Sequence, residues 1–133
     1  MAEIVEAFKN IVGEANVLTK DMDTAYYRSG FRCGFGGAKA VVFPSTLVEQ
    51  WKVLQVAVDA GCAIIMQAAK TGLTGGSSPS GFDYDRDVVI INVSRLRGLH
   101  LLQDGTQAVA FPGTTLFELT QELKKIDRVP HQL

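Results

Sequence analysis

The chain has 133 residues, 47% of them apolar, which suits one domain of ordinary size with a real core and excludes an intrinsically disordered segment. Its 13 basic side chains against 14 acidic ones give a net charge of -1, which leaves no basic footprint for nucleic acid. Cys33 and Cys62 lie far apart and form no CxxC pair, so neither a disulfide framework nor a zinc site is suggested.

In chain order, the first segment carries Ile4, Val5, Phe8, Ile11 and Val12 on one helical stripe that Gly13 stops. It is acidic and lacks the basic lead and apolar core of a signal peptide. Leu18 to Asp21 reads as a turn, with Asp21 or Asp23 as the cap of a short helix carrying Ala25 and Tyr26. Gly30, Gly34, Gly36 and Gly37 make residues 28–39 a loop, in which Arg28 and Arg32 read as solvated. Ala40 to Phe43, closed by Pro44, reads as a buried strand. Thr46 and Glu49 then form a capping box, and Leu47, Trp51, Leu54 and Val58 define the apolar face of a helix ending at Gly61, with Trp51 as core. Cys62 to Met66 is the next buried strand, so the three elements form a βαβ unit with parallel strands. Asp87 to Val93 reads as a third strand, and residues 99–111 as a hairpin turning at Asp104-Gly105. Thr115 and Glu118 are a second capping box, opening a helix with Leu116, Leu119, Leu123 and Ile126 on one side. No uncharged apolar run reaches the roughly 18 residues of a membrane span. The ending at Arg128 to Leu133 carries no tail and no further core element, which suggests a fragment cut through a connection.

Between the second and third strands lies Ala68-Ala69-Lys70-Thr71-Gly72-Leu73-Thr74-Gly75-Gly76-Ser77-Ser78. Glycines at 72, 75 and 76 permit positive φ and close approach of the main chain, consecutive N–H groups in such a turn form an anion nest, and Thr71, Thr74, Ser77 and Ser78 add short hydroxyls. The loop follows a strand of an α/β unit, where ligands bind in open parallel sheets. A diphosphate is the ligand this chemistry fits. Lys70-Thr71 precedes the glycines, so the loop is not a Walker A loop, and Gly75-Gly76-Ser77-Ser78-Pro79 feeds more loop rather than a helix, so it is not a Rossmann fingerprint. The plain alternative is a solvated Gly/Ser-rich surface loop, although a loop this long between apolar strands is uncommon without a function. Asp83, Asp85 and Asp87 alternate as metal ligands do, but Arg86 intervenes and no EF-hand glycine follows, so a local ion network is the reading and no metal site is expected. His100 reads as a core or edge histidine and His131 as structural or frayed, and no catalytic residue is assigned.

Pro44-Ser45-Thr46, the capped helix to Gly61, the strand to Met66, Thr71-Gly72-Leu73-Thr74-Gly75-Gly76-Ser77 and Phe111-Pro112-Gly113-Thr114-Thr115 together resemble the FAD-binding domain of the vanillyl-alcohol oxidase and p-cresol methylhydroxylase (PCMH) type over about residues 38 to 131. Within it, Tyr27 to Arg32, Phe43-Pro44, Met66 to Ala69, Asp83 to Ile91 and Pro130-His131 resemble the quinone-dependent D-lactate dehydrogenase branch. The resemblance implies FAD held by Ala68, Ala69, Lys70, Thr71, Gly72, Gly76 and Ser77. It also implies oxidation of D-lactate to pyruvate, electron transfer to quinone, and a peripheral place on the cytoplasmic face of the inner membrane through a part this chain lacks. Many members carry glycine where this chain has Ala68 and Lys70, and the absence of a loop histidine points to noncovalent FAD. The expected fold is α+β, a small parallel βαβ subdomain followed by the start of a second sheet with helices. Residues 1–37 are expected as a helical lead-in and loop, and 38–133 as the N-terminal part of the FAD-binding domain. The fragment alone is expected to be inactive and to hold FAD weakly. The alternatives are another FAD-dependent 2-hydroxy-acid dehydrogenase, such as a glycolate oxidase, or a non-catalytic nucleotide-binding module.

Overall fold

Helix α1 (Ala2–Val12) forms on the expected stripe and buries Ile4, Phe8 and Val12. Gly13, at φ 90, ends it while its amide still bonds Lys9 O at 2.8 Å. The structure, a computed structural model, describes residues 2–131. Where the sequence reads a turn at Leu18, the chain forms a short strand, β1 (Val17–Leu18), antiparallel to β2 (Ala40–Val42). Two residues leave no periodicity to read, and β1 exists because it can add to an edge already built. Helix α2 (Asp21–Thr24) has Lys20 at its N-cap with no side-chain bond, so neither Asp21 nor Asp23 caps it. Asp21 instead takes the guanidinium of Arg28 at 2.7 Å.

The main sheet has the order β1-β2-β4-β3, with β3 at Ala63–Gln67 and β4 at Val88–Asn92. Strands β2 and β3 both run parallel to β4, pairing Val41 and Ile65 with Ile90. The expected βαβ unit is present, but its two strands are not neighbours, because β4 inserts between them. All five residues of β4 are buried, as a Val/Ile-rich central parallel strand covered on both faces requires. On one face Val89 and Ile91 pack with Phe8, Val12, Val53 and Ala57; on the other Ile90 packs with Val41 and Phe43.

Helix α3 (Leu47–Asp59) carries the main correction. It buries Val53 and Ala57, while Leu47, Trp51, Leu54 and Val58 face outward, Trp51 at 60% exposure. The helix has two apolar sides, and α1 and the sheet take the one with small residues, which admits close packing; Trp51 is not core. Thr46 caps α3 by accepting from Glu49 N at 3.1 Å, but the Glu49 carboxylate returns to Ser45, accepting from its N at 2.7 Å and its Oγ at 2.8 Å. Gly61, at φ 67, ends the helix.

Strands β5 (Leu99–Leu102) and β6 (Gln107–Ala110) form the expected antiparallel hairpin, with every residue of β6 exposed. His100 is exposed on it, 6.2 Å from the Phe111 ring. Helix α4 (Leu116–Lys124) has a complete capping box between Thr115 and Glu118; of its expected stripe Leu123 is buried, whereas Leu116 and Ile126 are 58% and 44% exposed. The fold is α+β: a parallel sheet with helices, followed by a second, two-stranded sheet and a helix.

Candidate functional site

The glycine-rich loop leaves the C-terminal end of β3, at the edge of the sheet end where β4 also finishes. Beside it lies a cleft of about 510 Å³, walled by Ala68, Ala69 and Thr71 on one side and by Ser94, Arg97 and the Pro112 to Leu116 turn on the other. Glu118 binds Arg97 at 2.9 Å. Its carboxyl lies below the ordinary glutamate range chiefly because the Thr115 amide donates to it, with the Thr115 hydroxyl and Arg97 adding to the effect. The capping box thus occupies two of the donors at the start of α4.

Two observations show how well the loop suits an anionic ligand. Among the described residues, no main-chain N–H from Ala69 to Ser77 donates to another group of the chain; the first to do so is Ser78, to Gly75 O at 3.3 Å. Gly72 and Gly76 have neither a positive φ nor any atom within 4 Å of where a Cβ would stand. Packing and backbone strain therefore give no reason for glycine at either position, and close approach from outside the chain does. Of the three loop glycines only Gly75 takes a positive φ, 78. FAD, whose diphosphate needs unencumbered amides, fits these residues.

Lys70 also adopts the left-handed conformation, at φ 59, which a residue with a side chain enters at a cost. Its ammonium turns back onto the lead-in, donating to Ser29 O at 3.1 Å and to Tyr26 O, and lies 3.4 Å from the centre of the Tyr26 ring. Burial pushes its pKa below the ordinary lysine value. Ala68, Ala69 and Thr71 line the cleft, whereas Lys70, Gly72, Gly76 and Ser77 do not appear among its wall residues. Sequence reasoning assigned no role to Ser94, Arg97 or Thr114, which form the facing wall; the Phe111 to Thr115 segment was the available signal.

Arg28, expected in solvent, is 4% exposed. It donates to Thr24 Oγ1 at 3.1 Å, Gly36 O at 3.0 Å and the Asp21 carboxylate at 2.7 Å, so it ties the glycine-rich loop of residues 28–39 to α2. A larger cleft of about 620 Å³ lies beside it, lined also by Lys39, Phe82 and Arg86. Its charged side chains are taken up by one another: Arg28 is bonded to Asp21, Arg86 to Asp85, and Lys39 lies 3.8 Å from Asp87. Of the expected network across Asp85, Arg86 and Asp87, one half forms, with Arg86 Nε on Asp85 at 2.7 Å; Asp87 instead lies 3.8 Å from Lys39. Cys33 is exposed, its Sγ 3.8 Å from Leu73 O.

The FAD binding domain family model matches residues 38–131. Quinone-dependent D-lactate dehydrogenase of Escherichia coli K12 is 54% identical over 123 residues, covering 92% of this chain and 22% of that protein. The proteins of that name from Haemophilus influenzae and Corynebacterium glutamicum are 45% and 47% identical over 131 residues, covering 98% of this chain and 23% of each. The chain thus spans less than a quarter of the length of these relatives. Among solved structures, an alkyldihydroxyacetonephosphate synthase superposes with a TM-score of 0.79 at 18% identity, over 94% of this chain and 25% of that one. p-Cresol methylhydroxylase with bound substrate superposes with a TM-score of 0.70 at 17% identity, over 93% and 24%. These likenesses establish a shared fold, and the family match establishes membership: the chain belongs to the FAD-binding domain family.

Proposed function

We propose that this chain is the diphosphate-holding front part of an FAD-dependent dehydrogenase that oxidises D-lactate to pyruvate and passes the electrons to a quinone. The observation that carries the binding half of this reading is the run of unbonded amides from Ala69 to Ser77 beside two glycines with open space where a side chain would stand. The substrate half rests on the names of relatives at 45% to 54% identity.

Residues Ala68, Ala69, Lys70, Thr71, Gly72, Gly76 and Ser77 hold the diphosphate, chiefly through main-chain N–H groups that need no proton transfer and keep their polarity at any pH. Lys70 contributes its amide and its left-handed turn, since its ammonium is bonded to Tyr26 O and Ser29 O. At the α4 end, Leu116 on the cleft wall opens the helix and carries one of the first-turn amides that a helix leaves without an intrahelical partner. Bound FAD supplies the two-electron acceptor for hydroxy-acid oxidation. The loop carries no histidine, so this segment holds the flavin without a covalent histidyl bond. In this reading residues 38–133 are the N-terminal part of the FAD-binding domain and 1–37 its lead-in. Contact with the cytoplasmic face of the inner membrane belongs to another part of the protein; no helix among the described residues is long and apolar enough to cross a membrane.

The test is anaerobic mixing of the full-length natural protein, purified with its flavin, with D-lactate, L-lactate and glycolate in turn. Bleaching of the oxidised-flavin absorption by D-lactate first, and its return on adding a soluble quinone, is the expected result. A protein without flavin, or one bleached by glycolate and not by D-lactate, overturns the reading.

A further inference from the structure

Two buried amides sit side by side at the ends of β3 and β4: Gln67, 1% exposed, and Asn92, 3% exposed, paired in the sheet register. Gln67 Nε2 donates to Ser77 O at 2.7 Å and to Tyr27 O at 2.8 Å, and its Oε1 accepts from Asn92 Nδ2 at 3.0 Å. Asn92 Nδ2 also reaches Ala68 O at 3.4 Å, while its Oδ1 accepts from Ser94 N at 3.1 Å and Ser94 Oγ at 2.5 Å. Every polar atom of both amide groups is thereby used. An apolar pair of similar shape would fill the same space at this strand end but leave the Tyr27, Ser77 and Ala68 carbonyls without these donors. What the apolar pair lacks is a grip on main-chain carbonyls. The carbonyls gripped here belong to Ala68 and Ser77, the two ends of the glycine-rich loop, and Ser94 stands on the opposite wall of the cleft.

We propose that Gln67, seconded by Asn92, is the positioning residue of the diphosphate loop: it closes the loop end to end and sets the loop's distance from the facing wall. The inference rests on the FAD reading of the cleft. Lys70 works in the same direction from the middle of the loop. It holds Tyr26 O and Ser29 O on either side of the Tyr27 carbonyl that Gln67 holds, so the lead-in braces the loop at three points within residues 26–29. Free amides bind a diphosphate strongly only when they are already arranged, because ordering them on binding subtracts from the affinity.

The experiment uses the full-length natural protein and its Gln67→Glu and Gln67→Met variants, stripped of flavin and titrated with FAD between pH 5 and 8, with thermal unfolding of each apo form as the control. Gln67→Glu keeps the shape but turns two donors into acceptors; the groups bonded to this side chain are uncharged, and the charged group held beside them is the Lys70 ammonium on the Tyr26 and Ser29 carbonyls. FAD affinity is expected to fall roughly tenfold or more at pH 8 and to recover toward pH 5, where the introduced carboxyl takes up a proton and can donate again. Wild type is expected to show no such slope, and Gln67→Met a loss independent of pH. Trypsin cleavage after Lys70 in the apo forms reads the loop without flavin and is expected to quicken in both variants. A folded variant with wild-type affinity, no slope and unchanged cleavage overturns the proposal. If wild type itself takes up no FAD, the functional reading fails, and the cleavage rates alone decide whether Gln67 positions the loop.

Discussion

Gly72 and Gly113 make opposite demands on an added side chain. At Gly113 a Cβ would stand 2.6 Å from Ser94 O and 2.7 Å from Val93 O, contacts with rigid main chain, so Gly113→Ala should destabilise the fold by about 1–3 kcal/mol. At Gly72 nothing lies within 4 Å, so Gly72→Val should change stability by no more than about 0.5 kcal/mol while flavin retention falls roughly tenfold or more. Urea unfolding and flavin content of the full-length protein separate the two; equal retention in Gly72→Val and wild type removes the loop from the site. At this scale the loop itself was readable from its local run of glycines, but not which glycine takes the positive φ, which only Gly75 does. Arg28 was not: its burial depends on Thr24, Gly36 and Asp21 closing around one guanidinium, and a lone arginine in a glycine-rich stretch carries no mark of that enclosure. The roles of Gln67 and Asn92 were equally hidden, since each looks like the polar end of an apolar run.

The helices show what periodicity can and cannot decide. Both capping residues were readable from a Thr and a Glu three apart, and the structure keeps both caps. Which side of α3 goes inward was not readable, because Val53 and Ala57 compete with a bulkier stripe and only the partner surface chooses between them. Val53→Ala should therefore cost about 2 kcal/mol, and Trp51→Ala within about 0.5 kcal/mol of nothing, in chemical denaturation of the chain. A large loss from Trp51→Ala would reinstate the expected face. The caps also predict a pH response. Glu49 and Glu118 both lie below their ordinary pKa of 4.5, first because the Ser45 and Thr115 amides donate to them. A carboxyl depressed in the folded state stabilises fully above its unfolded pKa and loses that contribution as pH falls through the folded one. The urea midpoint should thus decline as pH drops below about 4.5, and less steeply in Glu118→Gln than in wild type.

For the whole molecule, β2, β3 and β4 could be read from their apolar runs and the parallel direction of β2 and β3 from the βαβ unit, but neither β1 nor the strand order was readable. The insertion of β4 between β2 and β3 is set by long-range pairing, which leaves no trace in either flanking segment. Helix α1 belongs to the same core as the sheet, with Phe8 fully buried against Val53, Val89 and their neighbours. Phe8→Ala should cost about 3–5 kcal/mol, measured by thermal or urea unfolding, and a loss under about 1 kcal/mol would mean that α1 docks only loosely. The unbonded stretch from Ala69 to Ser77 has one more consequence for the molecule in solution. With no internal acceptor, these amides should trade their protons for deuterons almost as fast as a free peptide does, while β4 in the centre of the sheet exchanges only on global opening. The slowing of that one stretch when a dinucleotide is added would be a footprint legible by mass, drawn by the backbone itself.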